Sequence, residues 1–278
     1  MTVITGFEDG ARIVGAIRKK AKRRRHFSAW LDAHWVALVS PLALLFLWWW
    51  VTENGHFSPQ LLVPPGQVVQ AFLGLMATGE LEDHLYVSLG RLFGGFAVGA
   101  VLGVLFGVCI ALSDTAERYT APLFQFLRQL PTVALIPMFI LIFGVGETFK
   151  IFIVIKATFF VVALAAHDGI RNIPKGYFDV SALYNLSFWD KFRAILFPAA
   201  VPSLLIGIRI GLSRSWMILV GAELLAAENG LGQMMEMSRQ MFRMDVVMVG
   251  VILTGIIGFL LDRGLRLLEW WLMRWRRA

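Results

Sequence analysis

The chain has 278 residues, 58% of them hydrophobic and 16% charged, with a formal net charge of +7. A water-soluble domain carries about 45–50% apolar and about 25% charged residues, so this chain has too little polar surface to coat a globule in water and belongs in a bilayer. That excludes a soluble enzyme, a disordered scaffold, a disulfide-stapled secreted module and a nucleic-acid binder, whose basic face would need solvation.

A helix crosses the hydrocarbon with about 20 mostly apolar residues. Scanning on that basis predicts an all-α polytopic membrane protein: a basic segment over 1–34, then a transmembrane domain over 35–278 with six crossings. The first span, 35–51, ends in Trp48, Trp49 and Trp50, whose indoles favour the interface. Residues 61–76 open with Pro64, Pro65 and Gly66 and place Val68, Val69, Phe72, Leu73 and Met76 at helical spacing, which predicts an amphipathic surface helix acting as a lid or brace. The second span, 92–112, carries Gly95, Gly99, Gly103 and Gly107 every fourth residue. Such a stripe lets two helix backbones touch, and Gly207 and Gly211 of the fifth span offer a facing surface.

The third span, 120–143, is interrupted by Arg128, Pro131 and Pro137, so it is expected to kink and to be partly buried in protein. The fourth span is 151–166, the fifth 199–225 and the sixth 246–261. Between the fourth and fifth lies a long loop, 171–198, too rich in Phe178, Leu183, Tyr184, Phe188 and Trp189 for a polar linker. It reads as a short helix, a turn at Asn185, which tolerates the left-handed conformation, and a second helix that docks on a partner.

Lys and Arg fix the orientation, because cytoplasmic loops retain them. Eight basic residues lie between positions 12 and 25, and five follow the last span. Both termini and the 171–198 loop are therefore expected in the cytoplasm, with Arg239 and Arg243 of the opposite loop offset by Glu228 and Glu236. The basic N-terminal segment is also attracted to anionic lipid.

Intramembrane charges are the candidate solute contacts. Lys156 in the fourth span and Arg209 and Arg214 in the fifth must each face a partner or a wet cavity, and Glu223 can neutralise only one of them. One account makes Lys156, Arg209, Arg214 and Glu223 a pathway for an anion; the other pairs Lys156 with Glu223 as structure. Catalytic patterns do not emerge: the sequence has no metal-binding His/Cys spacing, no G-x-S-x-G elbow and no Gly-Lys-Ser/Thr phosphate loop. Any ATP that drives the protein must be held by another subunit.

The runs Leu130-Pro131-Thr132-Val133-Ala134-Leu135-Ile136-Pro137, Phe143-Gly144-Val145-Gly146-Glu147-Thr148-Phe149-Lys150, Ala222-Glu223-Leu224-Leu225-Ala226-Ala227, Gly230-Leu231-Gly232 and Asp245-Val246-Val247 resemble permease subunits of bacterial ABC importers, in the branch serving sulfonates, taurine and nitrate. The resemblance runs from about residue 58 to the end. It implies a type I importer permease of the inner membrane, with six helices, paired as a homodimer. Two ABC ATPase subunits would use ATP and Mg, and a periplasmic or lipid-anchored solute-binding protein would deliver an aliphatic sulfonate or taurine. Nitrate and a thiamine precursor are the alternative cargoes, and a passive channel or scaffold without ATPase is the alternative class. No cofactor or metal is implied for this chain. The family's inner-loop signature looks like Asp179, Val180, Ser181, Asn185 and Leu196-Phe197-Pro198 here: acid, turn residue and proline are kept in kind, whereas two alanines and a glycine are not. That loop would enter a groove on the ATPase, with Tyr184, Phe188 and Trp189 as its anchors.

Overall fold

A computed structural model describes residues 39–55, 58 and 62–274; the basic 1–34 segment and the start of the first predicted span lie outside them. The chain divides into two units, Met1–Pro65 and Gly66–Ala278. In the first, α1 (Val39–Glu53) is an apolar helix shorter than a full crossing. Its Trp48 Nε1 donates to the Val63 carbonyl at 3.0 Å, so the indole has the polar partner that a ring at the interface needs.

Every regular element described in the second unit is helical. After α2 (Pro65–Thr78) come α3 (Glu80–Leu112), α4 (Asp114–Gln129), a 3₁₀ turn (Thr132–Leu135), α5 (Ile136–Phe143) and α6 (Glu147–Arg171). The chain continues through α7 (Lys175–Leu183), α8 (Phe188–Lys191), a π-helical turn (Phe192–Leu196), α9 (Phe197–Ala226), α10 (Leu231–Gln240) and α11 (Met244–Leu272). Among the described residues, four helices are long and apolar enough to cross a membrane: α3, α6, the continuous Phe188–Ala226 helix and α11. The predicted third span is broken, with α4 and the Thr132–Phe143 segment meeting at 85°. Its cause is local: Leu130 precedes Pro131, the α region is disfavoured before proline, and both residues are extended, with ψ of 119° and 115°.

The centre of the bundle is α6, packed between α3 and α9. The four glycines of the α3 stripe, Gly95, Gly99, Gly103 and Gly107, are all buried, but they face α6 and not Gly207 and Gly211 of α9. A Cβ on Gly99 would lie 2.8 Å from the Ile155 carbonyl oxygen, and one on Gly103 2.9 Å from that of Phe159. Backbone-to-backbone approach of this kind admits only hydrogen at the stripe. Gly207 and Gly211 approach a different side of the same helix, near Ala165 and Val162. Inside the bundle, Thr158 and Ser215 hydroxyls share a hydrogen bond of 2.7 Å, and Trp216 Nε1 donates to the Thr254 carbonyl at 2.9 Å, tying α9 to α6 and α11.

Two expectations are corrected by the packing. On α2 the buried face is Val68, Ala71 and Leu75, while Val69, Leu73 and Met76 face outward. The second loop helix is not separate from the fifth span: α8 runs through the π turn into α9. Pro198 has no N–H to offer the preceding turn, and a wider turn just ahead of it accommodates the lost bond.

A charge clasp, a cationic cavity and an exposed loop

The strongest polar constellation ties α3, α6, α9 and the N-terminus of α10 together. Arg91 is 4% exposed, and each of its N–H groups has a partner. Nε and Nη2 fork onto the Glu147 carboxylate at 2.5 Å each. Nη1 donates to Glu223 Oε1 and the Asn229 carbonyl at 2.8 Å each, and Nη2 also reaches Asn229 Oδ1. Glu223, 1% exposed, further accepts from Ser88 Oγ at 2.8 and 2.9 Å and from the Gly232 N–H at 3.1 Å.

Helix α10 has no side-chain cap of its own; neighbouring helices supply one. His84 Nδ1 accepts from Gly230 N–H at 3.0 Å, Ser88 Oγ from Leu231 N–H at 2.9 Å, and the Glu223 carboxylate completes the set. An anion at a helix N-terminus satisfies orphan donors and the dipole together. Gly230 is required twice over: its φ is +112°, and a Cβ there would stand 2.6 Å from the Glu223 carboxylate. Lys150, 1% exposed, adds a bond to Glu147 at 3.0 Å. The clasp therefore decides against the account that pairs Lys156 with Glu223: Glu223 belongs to Arg91.

Lys156 stands elsewhere, at the break in the third span. Its Nζ donates to Thr132 Oγ1 at 3.1 Å and to the Leu130 carbonyl at 3.4 Å, and lies 5.4 Å from the centre of the Phe160 ring. The break exposes a carbonyl that no helical N–H satisfies, and the ammonium takes that role. Lys156, Thr132, Arg128 and Arg214 border one cavity of about 400 Å³, walled by apolar residues including Phe160, Val161, Leu164, Ile206 and Ile210. None of these three cations makes an ion pair among the described residues, and Arg128 Nε is buried without any partner. Arg209 and Glu223 are not on this cavity; Arg209 pairs with Glu269 at 3.0 Å and Asp262 at 3.7 Å on α11. Arg128 is the contributor that sequence reasoning missed, since it showed only as an interruption of the span.

The 171–198 loop shows its aromatics: Tyr184 is 76%, Phe188 63% and Trp189 67% exposed, and Trp189 stacks on Phe192 at 5.5 Å. Asn185 adopts φ 47°. It ends α7 in a paired motif, with Leu186 N–H bonded to the Ser181 carbonyl and Asn185 N–H to that of Ala182. Asp179 is exposed, whereas Ser181 is 1% exposed and donates to the Phe178 carbonyl at 2.7 Å, so it braces the loop from inside. Pro198 borders a groove of about 700 Å³ with Tyr177, Ile195 and Asp168. On the opposite loop, Glu236 receives two bonds from Arg239, whose guanidinium holds that carboxyl down to about 2. Arg243 pairs with Asp245 at 3.2 Å rather than with Glu228.

No three His, Cys, Asp or Glu side chains converge on a metal site among the described residues. The described residues form a helical bundle with a broken span and a cavity walled by its apolar helices. Residues 88–273 match the family of binding-protein-dependent transport system inner membrane components, and the chain belongs to that family. It is 37% identical over 238 residues to the putative aliphatic sulfonates transport permease protein SsuC of Escherichia coli (strain K12), covering 86% of this chain and 90% of that one. It is 33% identical over 266 residues to the taurine transport system permease protein TauC of the same organism, covering 93% and 97%. Among solved structures, an amino acid ABC transporter superposes with a TM-score of 0.58 at 16% identity, covering 74% of this chain and 98% of that one. The chain is thus a polytopic ABC importer permease subunit for a small solute, of type I fold, and not an enzyme.

Proposed function

We propose that this permease carries a small organic sulfonate, an aliphatic sulfonate or taurine, and that the cavity at Lys156 is its passage. One observation carries the reading: Arg128, Lys156 and Arg214 surround one apolar-walled space without a paired carboxylate. Unpaired cations inside a membrane protein mark an ion path, and apolar walls suit a hydrocarbon tail. The permease relatives for aliphatic sulfonates and taurine support the same class. In this reading a second copy of the chain completes the pathway, a solute-binding protein delivers the cargo, and ABC ATPase subunits grip the 171–198 loop. The orientation that puts this loop in the cytoplasm is supported by the Lys and Arg of the sequence at both termini, since cytoplasmic segments retain them. ATP binding closes the ATPases and switches the helices between two arrangements.

Lys156→Met tests the passage. The complex should assemble and retain basal ATPase activity yet lose uptake of labelled alkanesulfonate and taurine in vesicles; normal uptake would remove Lys156 from the path. Tyr184→Ala with Trp189→Ala tests the loop, because exposed aromatic anchors carry most interface energy. The double variant should insert normally and fail to co-purify the ATPase.

A further inference from the structure

The cavity at Lys156 has a neighbour on the side of the 171–198 loop. Asp168, Ser203 and Ile206 border both it and the groove beside the 171–198 loop, so these two spaces meet along one wall of α6 and α9. Charge along that route is uneven. The first space is bordered by Arg128, Lys156 and Arg214, with Asp168 its one acid, whereas Asp168 is the one charged residue bordering the groove. Lys156 and Asp168 are twelve positions apart on one helix, about 18 Å along its axis. The carboxylate therefore stands at the junction and does not neutralise the ammonium. It is not consumed by an ion pair with Lys or Arg either: its Oδ1 meets His167 Nδ1 at 3.0 Å, and its side chain is 46% exposed.

We infer that Asp168 is a specificity-determining residue, a charge filter that keeps cytoplasmic dianions out of the cationic cavity while letting a monoanionic sulfonate leave. Three unpaired cations open to the cytoplasm would otherwise collect the abundant dianions there, and the passage would be occupied from the wrong side. Coulomb repulsion from one carboxylate scales with the charge of the approaching ion, so a dianion meets twice the barrier that a monoanion meets. This inference rests on the sulfonate-passage reading and its orientation.

The test compares sulfate and methanesulfonate, two tetrahedral ions that differ in charge. The complete complex with its ATPase and binding protein is placed in vesicles whose 171–198 loop faces the bath. Each ion is added to the bath, and the concentration that halves ATP-driven sulfonate transport is measured. In the native complex sulfate should be needed at much higher concentration than methanesulfonate. Asp168→Asn should narrow that ratio about tenfold, Asp168→Glu should preserve it, and His167→Gln, which keeps the carboxylate, should preserve it too. Asn172→Asp adds a charge to an exposed position in the same groove and should widen the ratio, so it decides the matter if Asp168→Asn fails to assemble. An unchanged ratio in Asp168→Asn, or in Asn172→Asp where that variant decides, overturns the filter. Lys156→Met separates the two ideas: if it abolishes transport while the ratio is unmoved in the Asp168→Asn or Asn172→Asp complex, only the filter falls, whereas normal transport by Lys156→Met removes the passage itself.

Discussion

Replacing Arg91 by Met is the most informative perturbation of the fold, because it removes the cation shared by Glu147 and Glu223 and leaves both carboxylates. Glu223 is 1% exposed and cannot recover water. It keeps Ser88 and the Gly232 N–H but loses the 2.8 Å guanidinium contact. A buried charge stripped of its partner costs about 3–5 kcal/mol. Glu147 behaves differently, since its side chain is 54% exposed and retains Lys150 at 3.0 Å; Glu147→Gln should cost about 1–2 kcal/mol. At about 3 °C per kcal/mol for a chain of this size, Arg91→Met should lower the melting temperature of the detergent-solubilised protein by roughly 10 °C. Adding Glu223→Gln should recover part of the loss, because the second change discharges the stranded carboxylate, and a coupling of about 1–3 kcal/mol is expected for groups in direct contact. Arg91→Met melting within about 2 °C of the native protein, with no recovery in the double variant, would show that the clasp adds nothing net and refute the reasoning.

The other expectations use the same melting assay unless stated. Gly99→Leu or Gly103→Leu should destabilise the bundle and impair transport, since even a Cβ meets α6 backbone at 2.8–2.9 Å, whereas Gly211→Ala should be close to neutral because its nearest neighbour, Val162 Cγ2, is 3.4 Å away. Asn185→Gly should leave the loop intact, while Asn185→Val should cost about 1–2 kcal/mol at φ 47°, read as faster proteolytic cleavage within 171–198. Trp216→Phe should cost about 0.5–1.5 kcal/mol by removing the Nε1 bond to the Thr254 carbonyl at 2.9 Å, which ties α9 to α11.

What the sequence discloses and what it conceals divide along a physical line. Apolar length discloses the spans, because crossing hydrocarbon is a property of one segment at a time. Arg128 followed three positions later by Pro131 discloses the break for the same reason, and a lone ammonium in the fourth span discloses that Lys156 must meet something polar. The identity of a partner is another matter. Arg91 and Glu223 are 132 positions apart, and Arg91 sits in the polar start of a helix that a hydropathy scan begins only at 92. Nothing local distinguishes Lys156 from Arg91 as the mate of Glu223; the choice is made by helix order, which puts α3 beside α9 at the end of α6 where Glu223 emerges. The glycine stripe fails in the same way. Its spacing says that a backbone comes close, but both α3 and α9 carry small residues, and the deciding signal was on the third party, in Ala163 and Ala166 of α6, which receive Gly103 and Gly107. On α2 two apolar stripes compete, and the buried one, Val68, Ala71 and Leu75, is the one bearing the smaller residue. Arg128 completes the pattern. An arginine next to a helix break reads locally as a disruption, yet the break turns the chain by 85° and carries that guanidinium to the space occupied by Lys156 and Arg214. A charge that looks costly in its own segment is brought by the fold to one space with two others, none of them in an ion pair among the described residues, and under the proposed passage these three are the contacts for the anion.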